Sequence, residues 1–219
     1  MRRHTLFVSI AVVAIAAPVF AQPADLRTKV RERVEKEMEA QKIVGLCVGI
    51  GIEGKVAAAE SFGFEDREAG TAASEATMFR WASVSKPLTA VVVMQLSKEG
   101  KLDLDADVRK LVPEFPEKPW PVTSRQLLCH QGGIVHYVNG KVIKTERTYE
   151  QAHPFADTVL ALDFFKESPL LSEPGTRYSY TTHGFMLLGA VAQRAGGEPF
   201  AELVKKRIAE PGGMTTLRP

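Results

Sequence analysis

Met78-Phe79-Arg80-Trp81-Ala82-Ser83-Val84-Ser85-Lys86 is an apolar-aromatic run that delivers a serine and a lysine, three residues apart, to the start of a helix. The helix is read from Leu88, Val91, Val92 and Leu96 at helical spacing, with Gly100 placed as its C-cap. Side chains at i and i+3 share a helix face, so Ser83 and Lys86 can touch. A serine hydroxyl is a weak nucleophile until a base takes its proton, and a lysine can do so only when burial or neighbouring cations lower its pKa. Free backbone N–H groups at the helix start can also face an anionic intermediate. Alone, the S-x-x-K spacing is a weak signal: ten serines and fourteen lysines give roughly half a match by chance. The competing reading is an exposed surface pair. The apolar content of the helix argues against it and predicts a buried helix, with Ser83 where buried elements meet.

Upstream, Leu26, Val30, Val34 and Met38 recur every four residues among charges, which predicts an amphipathic helix from Asp25 to about Ala40. Ile43 to Ile52 is a near-continuous apolar strand, and after Glu53-Gly54 a second strand runs from Lys55 to Phe64, so the two read as a hairpin. Downstream, Thr123 and Gln126 have capping-box spacing, with Val122 and Leu127 placed as a hydrophobic staple. The short helix they start should end near His130, where Gly132-Gly133 turns the chain. Further helices are expected at Asp157 to Lys166, Gly184 to Ala195 and Pro199 to Ala209. Two strands make a poor sheet for this much helix, because a lone hairpin is marginal in water. Partners for them are expected beyond what the sequence shows.

Residues Thr77 to Lys86 resemble the serine beta-lactamase-related family, as do Gln95-Leu-Ser-Lys-Glu-Gly-Lys-Leu-Asp-Leu104, Leu127-Leu-Cys-His-Gln-Gly-Gly-Ile134, Glu173-Pro-Gly-Thr-Arg-Tyr-Ser-Tyr180 and Gly184-Phe-Met-Leu-Leu-Gly189. That family holds class C beta-lactamases, penicillin-binding D,D-peptidases and esterases. The resemblance covers nearly all of residues 43 to 215. It implies an α+β, beta-lactamase/transpeptidase-like fold: an antiparallel sheet flanked by helices, plus a helical subdomain. It implies that Ser83 is the acylated nucleophile, Lys86 its base or proton relay, and Tyr180 the tyrosine of a second motif, usually Tyr-x-Asn. A phenol beside a lysine suits proton shuttling, since each stabilises a charged form of the other.

Three departures qualify the resemblance. Thr182 stands where the second motif has asparagine, keeping a hydroxyl but losing the amide that holds a substrate carbonyl. Gly132 stands where the His-x-Ser-Gly turn has serine. Both changes, with Gly133-Ile-Val-His-Tyr137, move the resemblance toward the mitochondrial serine beta-lactamase-like subgroup and toward a peptidase or esterase role. No Lys-Thr-Gly or His-x-Gly motif follows Tyr180, so the C-terminal sheet strands, with one N–H of the oxyanion hole, are expected to be missing from a truncated chain. A non-catalytic relative that only binds is the alternative. Thr182 and His183 are the expected substrate-binding residues, with surface exposure the alternative for His183. His130 is either a general base or, more simply, a capping or packing residue. Asn139-Gly140 marks a turn, and Lys141 to Glu150 a solvated loop over the site.

The rest of the sequence bounds the context. The 219 residues are 45% hydrophobic and 25% charged, the profile of an ordinary globular chain. A net charge of +2, with no basic block, excludes nucleic acid as an expected partner and leaves a small-molecule or peptide substrate. Arg2-Arg3, an uncharged run from Thr5 to Phe20 and Val19-Phe20-Ala21 read as a secretory signal over residues 1–21, cleaved after Ala21, by a Sec or twin-arginine route. About sixteen apolar residues fall short of the roughly 20 that span a bilayer. Residues 22–219 are then one partial hydrolase domain, periplasmic or secreted. Cys47 and Cys129 are expected as two buried thiols rather than a disulfide. The histidines at 130, 136, 153 and 183 lack zinc-ligand spacing, so neither metal nor other cofactor is expected.

Overall fold

A computed structural model describes residues 23–144 and 157–217. The expected signal segment therefore lies outside the described residues, as does most of the charged loop. The chain divides into two compact units, before and after the Met78–Phe79 junction.

The first unit is a helix on a hairpin. Helix α1 (Pro23–Gln41) half-buries the expected stripe of Leu26, Val30, Val34 and Met38 and exposes its charges. Arg31 joins it to the hairpin, with Nη2 3.0 Å from Glu60 and the guanidinium 5.6 Å from the centre of the Phe62 ring. Strands β1 (Gly45–Ile52) and β2 (Lys55–Asp66) are antiparallel and turn through Glu53 and Gly54, both at positive φ (49° and 74°), as a two-residue turn of right-handed strands demands. A register shift at Ile50/Gly51 leaves Ala57 unpaired as a bulge. A third strand, β3 (Thr71–Ala72), pairs with the end of β2, so the sheet has the order β1-β2-β3. Two residues are too short for any periodicity to reveal it.

The second unit is helical. Helix α2 (Ser85–Lys98) buries Thr89, Val92, Val93 and Leu96, one stripe of spacing i, i+3, i+4, i+7. Its opposite side leaves Val84, Val91 and Met94 exposed, so the helix expected to be buried is buried on one face of this unit. Ser83, expected where buried elements meet, is likewise exposed at the helix start. Helix α3 (Ser124–Leu128) has the expected capping box: Thr123 Oγ1 accepts the Gln126 N–H at 3.3 Å, and Gln126 Oε1 accepts the Thr123 N–H at 2.9 Å. Val122 and Leu127 are both buried in the same core. Thr123→Ala should lower stability by about 1 kcal/mol, read as a shift in the denaturation midpoint.

Helix α4 (Thr182–Gly196) runs through the core with Leu187, Leu188, Ala190, Val191 and Ala192 fully buried. Gly197 ends it at φ 73°, donating to the Gln193 carbonyl. Helix α5 (Phe200–Val204) passes into a π-helical turn at Lys205–Ala209, where the expected Pro199–Ala209 helix would have stayed α. There the Glu210 N–H reaches back five residues to the Lys205 carbonyl at 2.9 Å.

The helix expected over Asp157 to Lys166 is a 3₁₀ segment, Leu160–Phe164. Asp157 Oδ1 accepts the Val159 N–H and the amide of the distant Gln193, at 2.9 and 2.6 Å, and the following N–H groups bond three residues back. Lys118 ties the same segment to the loop before α3, donating to the carbonyls of Lys166 and Ser168 at 2.5 and 2.8 Å; its burial lowers its pKa. Both cysteines are free and exposed, not buried: Cys47 contacts Ser61 at the sheet surface, and Cys129 caps the end of α3.

Candidate active site

The site is built where the start of α2 meets the segment leading into α4. Ala82 lies at φ 45°, a left-handed conformation that a residue with a Cβ resists, and Ser83 follows it in a 3₁₀ turn that runs into α2. One turn on, Lys86 Nζ donates to Ser83 Oγ at 3.1 Å. From 97 positions downstream, the Tyr180 hydroxyl donates to the same oxygen at 2.7 Å. The three expected catalytic side chains are thus brought together around Ser83 Oγ.

Thr181 starts α4 as its N-cap, accepting the Gly184 N–H at 3.2 Å and donating to the Val135 carbonyl at 2.8 Å. That cap aims the next residue inward, so Thr182 Oγ1 accepts from Lys86 Nζ at 3.3 Å. The Thr182 hydroxyl is therefore a partner of the lysine. Lys86 Nζ also lies 4.9 Å from the centre of the Tyr180 ring and 5.7 Å from that of Phe185. Hydrogen bonding to Lys86, then to Ser83, favours the phenolate and lowers the Tyr180 pKa.

His183 does not face this centre. It is buried, stacked on Phe165 with ring centres 4.7 Å apart, and its Nδ1 meets the Val135 carbonyl at 2.9 Å. Its burial removes the surface-exposed alternative, and it supports the turn behind the site. His130 is a packing and capping residue: its ring lies 4.5 Å from Tyr180 and 5.0 Å from Phe185, and its Nδ1 accepts the Thr181 N–H at 3.2 Å. Two further residues join the site from the turn after Gly133. His136 Nδ1 accepts the Thr182 N–H at 3.2 Å, and the exposed Tyr137 places its hydroxyl 3.4 Å from Thr182 Oγ1. Their signal in the sequence was the Gly133-to-Tyr137 turn, whose Asn139 accepts the His136 N–H at 2.6 Å.

The glycines of this turn have steric reasons. A Cβ on Gly132 would lie 2.6 Å from Cδ2 of the buried Leu127, so a serine there would press into the core. Gly133 holds φ 69°, with the Ser172 carbonyl oxygen 2.4 Å from where its Cβ would be.

The Beta-lactamase family matches residues 30–218. The chain belongs to that family. Among curated relatives, it is 27% identical to the mitochondrial serine beta-lactamase-like protein LACTB of Bos taurus, over 91% of this chain and 47% of that one. It is 29% identical to the esterase EstB of Burkholderia gladioli, over 87% of this chain and 51% of that one. Among solved structures, the hydrolase EstCE1, described as having promiscuous acyltransferase activity, superposes with a TM-score of 0.74 at 27% identity, over 87% of this chain and 52% of that one. The D-alanine carboxypeptidase AmpC of Burkholderia cenocepacia superposes with a TM-score of 0.71 at 26% identity, over 89% and 50%. The fold is thus the expected beta-lactamase/transpeptidase-like α+β type. The chain spans about half the length of the curated relatives it matches.

Proposed function

We propose that this Beta-lactamase family chain carries the nucleophile and proton-transfer groups of a serine acyl hydrolase. Ser83 Oγ attacks an ester or amide carbonyl and passes its proton to the Lys86 and Tyr180 pair. The same pair returns a proton to the leaving group, and water then releases the acyl group. The observation that carries this reading is the convergence of Lys86 Nζ and Tyr180 Oη on one oxygen, at 3.1 and 2.7 Å. Peptides, cell-wall peptides, lactams and simple esters are the substrate class, in keeping with relatives named as esterase and carboxypeptidase. Thr182, held on Lys86, and the exposed Tyr137 beside it are proposed to meet the substrate. Export as a periplasmic or secreted protein is proposed from the first 21 residues.

A fluorophosphonate probe and a fluorescent penicillin test the assignment. At least one should label the wild-type chain covalently and leave Ser83→Ala unlabelled. Saturable binding with no adduct by mass spectrometry would make the chain a binding relative instead.

A further inference from the structure

Two histidines beside the site, His130 and His136, do something the acyl-transfer chemistry does not use. The Thr181 N–H donates to Nδ1 of His130 and the Thr182 N–H to Nδ1 of His136, each at 3.2 Å. These are consecutive amides at the start of α4, where backbone donors lack partners within the helix. A ring nitrogen can accept only when it carries no proton, so this geometry assigns both imidazoles the neutral form with hydrogen on Nε2.

The pair is anchored on one side and coupled to chemistry on the other. His130 is fixed at φ 56°, its N–H on the Leu127 carbonyl and its carbonyl taking the Ser179 N–H at 2.8 Å. His136, 8% exposed, is fixed through Asn139. The residues they hold are bonded in turn to the reacting groups. Tyr180, just before the clamped amides, bonds Ser83, and Thr182, on the second of them, bonds Lys86.

Building on the reading of Ser83 as nucleophile, we propose that His130 and His136 are positioning residues. As neutral imidazoles they clamp residues 181 and 182, and on protonation they release the second half of the site. Protonated Nδ1 would point its hydrogen at the amide hydrogen it now accepts. The backbone would move away, taking the Tyr180 hydroxyl and Thr182 Oγ1 off Ser83 and Lys86.

The surroundings favour the neutral form. His130 is faced by Lys86 from α2, Phe185 from α4, Tyr178 and Tyr180, with His136 beyond; Cys129 is its chain neighbour. His136 is faced by Tyr137, Tyr180, His183 and, through its charge, Lys86. Burial first, then the Lys86 charge, lowers both pKa values below the ordinary 6.5. A depressed histidine gives its support fully above the ordinary value and loses it as pH falls from there through the lowered one. The clamp is therefore closed at neutral pH and opens in acid.

Asparagine separates this role from simple packing. Its Oδ1 hangs from Cγ as Nδ1 does in histidine, and it accepts a hydrogen bond at any pH above its denaturation limit. Wild-type labelling by the fluorophosphonate should slow by about tenfold or more once pH falls below the lowered histidine values. His130→Phe and His136→Phe should slow it at every pH. The His130→Asn/His136→Asn double variant should recover most of that loss at pH 7 and move the acid limb to lower pH. An asparagine double variant with the wild-type acid limb overturns the proposal, since a group other than the two histidines would then set it. Nitrogen-15 NMR of the imidazoles in the wild-type chain should show both as Nε2–H tautomers at neutral pH. An Nδ1–H tautomer in either one also overturns the clamp. A wild-type chain that takes no label refutes only the acyl-enzyme reading, and the tautomers then decide the clamp alone.

Discussion

Lys86→Met should slow acylation of Ser83 by the fluorophosphonate about 10² to 10⁴-fold while the chain keeps its thermal midpoint. The rate falls because the group that lies 3.1 Å from Ser83 Oγ and within reach of Tyr180 has gone, so no neighbour both accepts the serine proton and stabilises the phenolate. The fold survives because methionine keeps an apolar stem of similar length on the same helix, and Ser83 itself is exposed. A second readout is tied to the same cause. Hydrogen bonding with Lys86 is the foremost influence that lowers the Tyr180 pKa, so the phenol of Lys86→Met should titrate at higher pH in an ultraviolet difference titration. Wild-type labelling kinetics in Lys86→Met would remove the lysine from the mechanism.

Gly133→Ala should cost about 2 to 5 kcal/mol of stability in chemical denaturation. Two effects add. An alanine at φ 69° sits in the left-handed region, and its methyl carbon would lie 2.4 Å from the Ser172 carbonyl oxygen, a backbone atom that cannot swing aside. The Gly133 carbonyl accepts the Leu171 N–H at 2.8 Å, so parting the two segments also breaks a buried hydrogen bond. The damage reaches the site, because residues 135 to 137 follow directly and hold Thr181, Thr182 and His183. A variant with an unchanged denaturation midpoint would mean that the 170–172 segment yields freely.

What was legible in the sequence follows the range of the forces involved. The capping box of Thr123 and Gln126, the α1 stripe and the Glu53-Gly54 turn depend on residues within a few positions of one another, and each formed as read. The segment after Asp157 did not, and there the aspartate and Thr158 are bonded by Gln193, 35 to 36 positions away, which no local pattern shows. Strand β3 depends on a partner on β2 rather than on any pattern of its own. Cys47 sits in an apolar strand yet lies on the exposed side of a sheet, which alternation alone does not assign. At the site, local spacing showed only that Ser83 and Lys86 can touch, and their roles, like that of Tyr180, were legible through resemblance. For Tyr137 and His136 the turn was legible but not their roles, which arise only when the turn after Gly133 folds onto the start of α4.

Ala82 bears on how such a chain can be improved. Holding a methyl-bearing residue at φ 45° beside the nucleophile costs about 1 kcal/mol. Glycine would relieve that cost, and selection for heat resistance alone would favour it. The same change would loosen the backbone that places Ser83, so selection for turnover would oppose it. Position 82 is therefore a place where screening for robustness and screening for activity pull a population of variants apart.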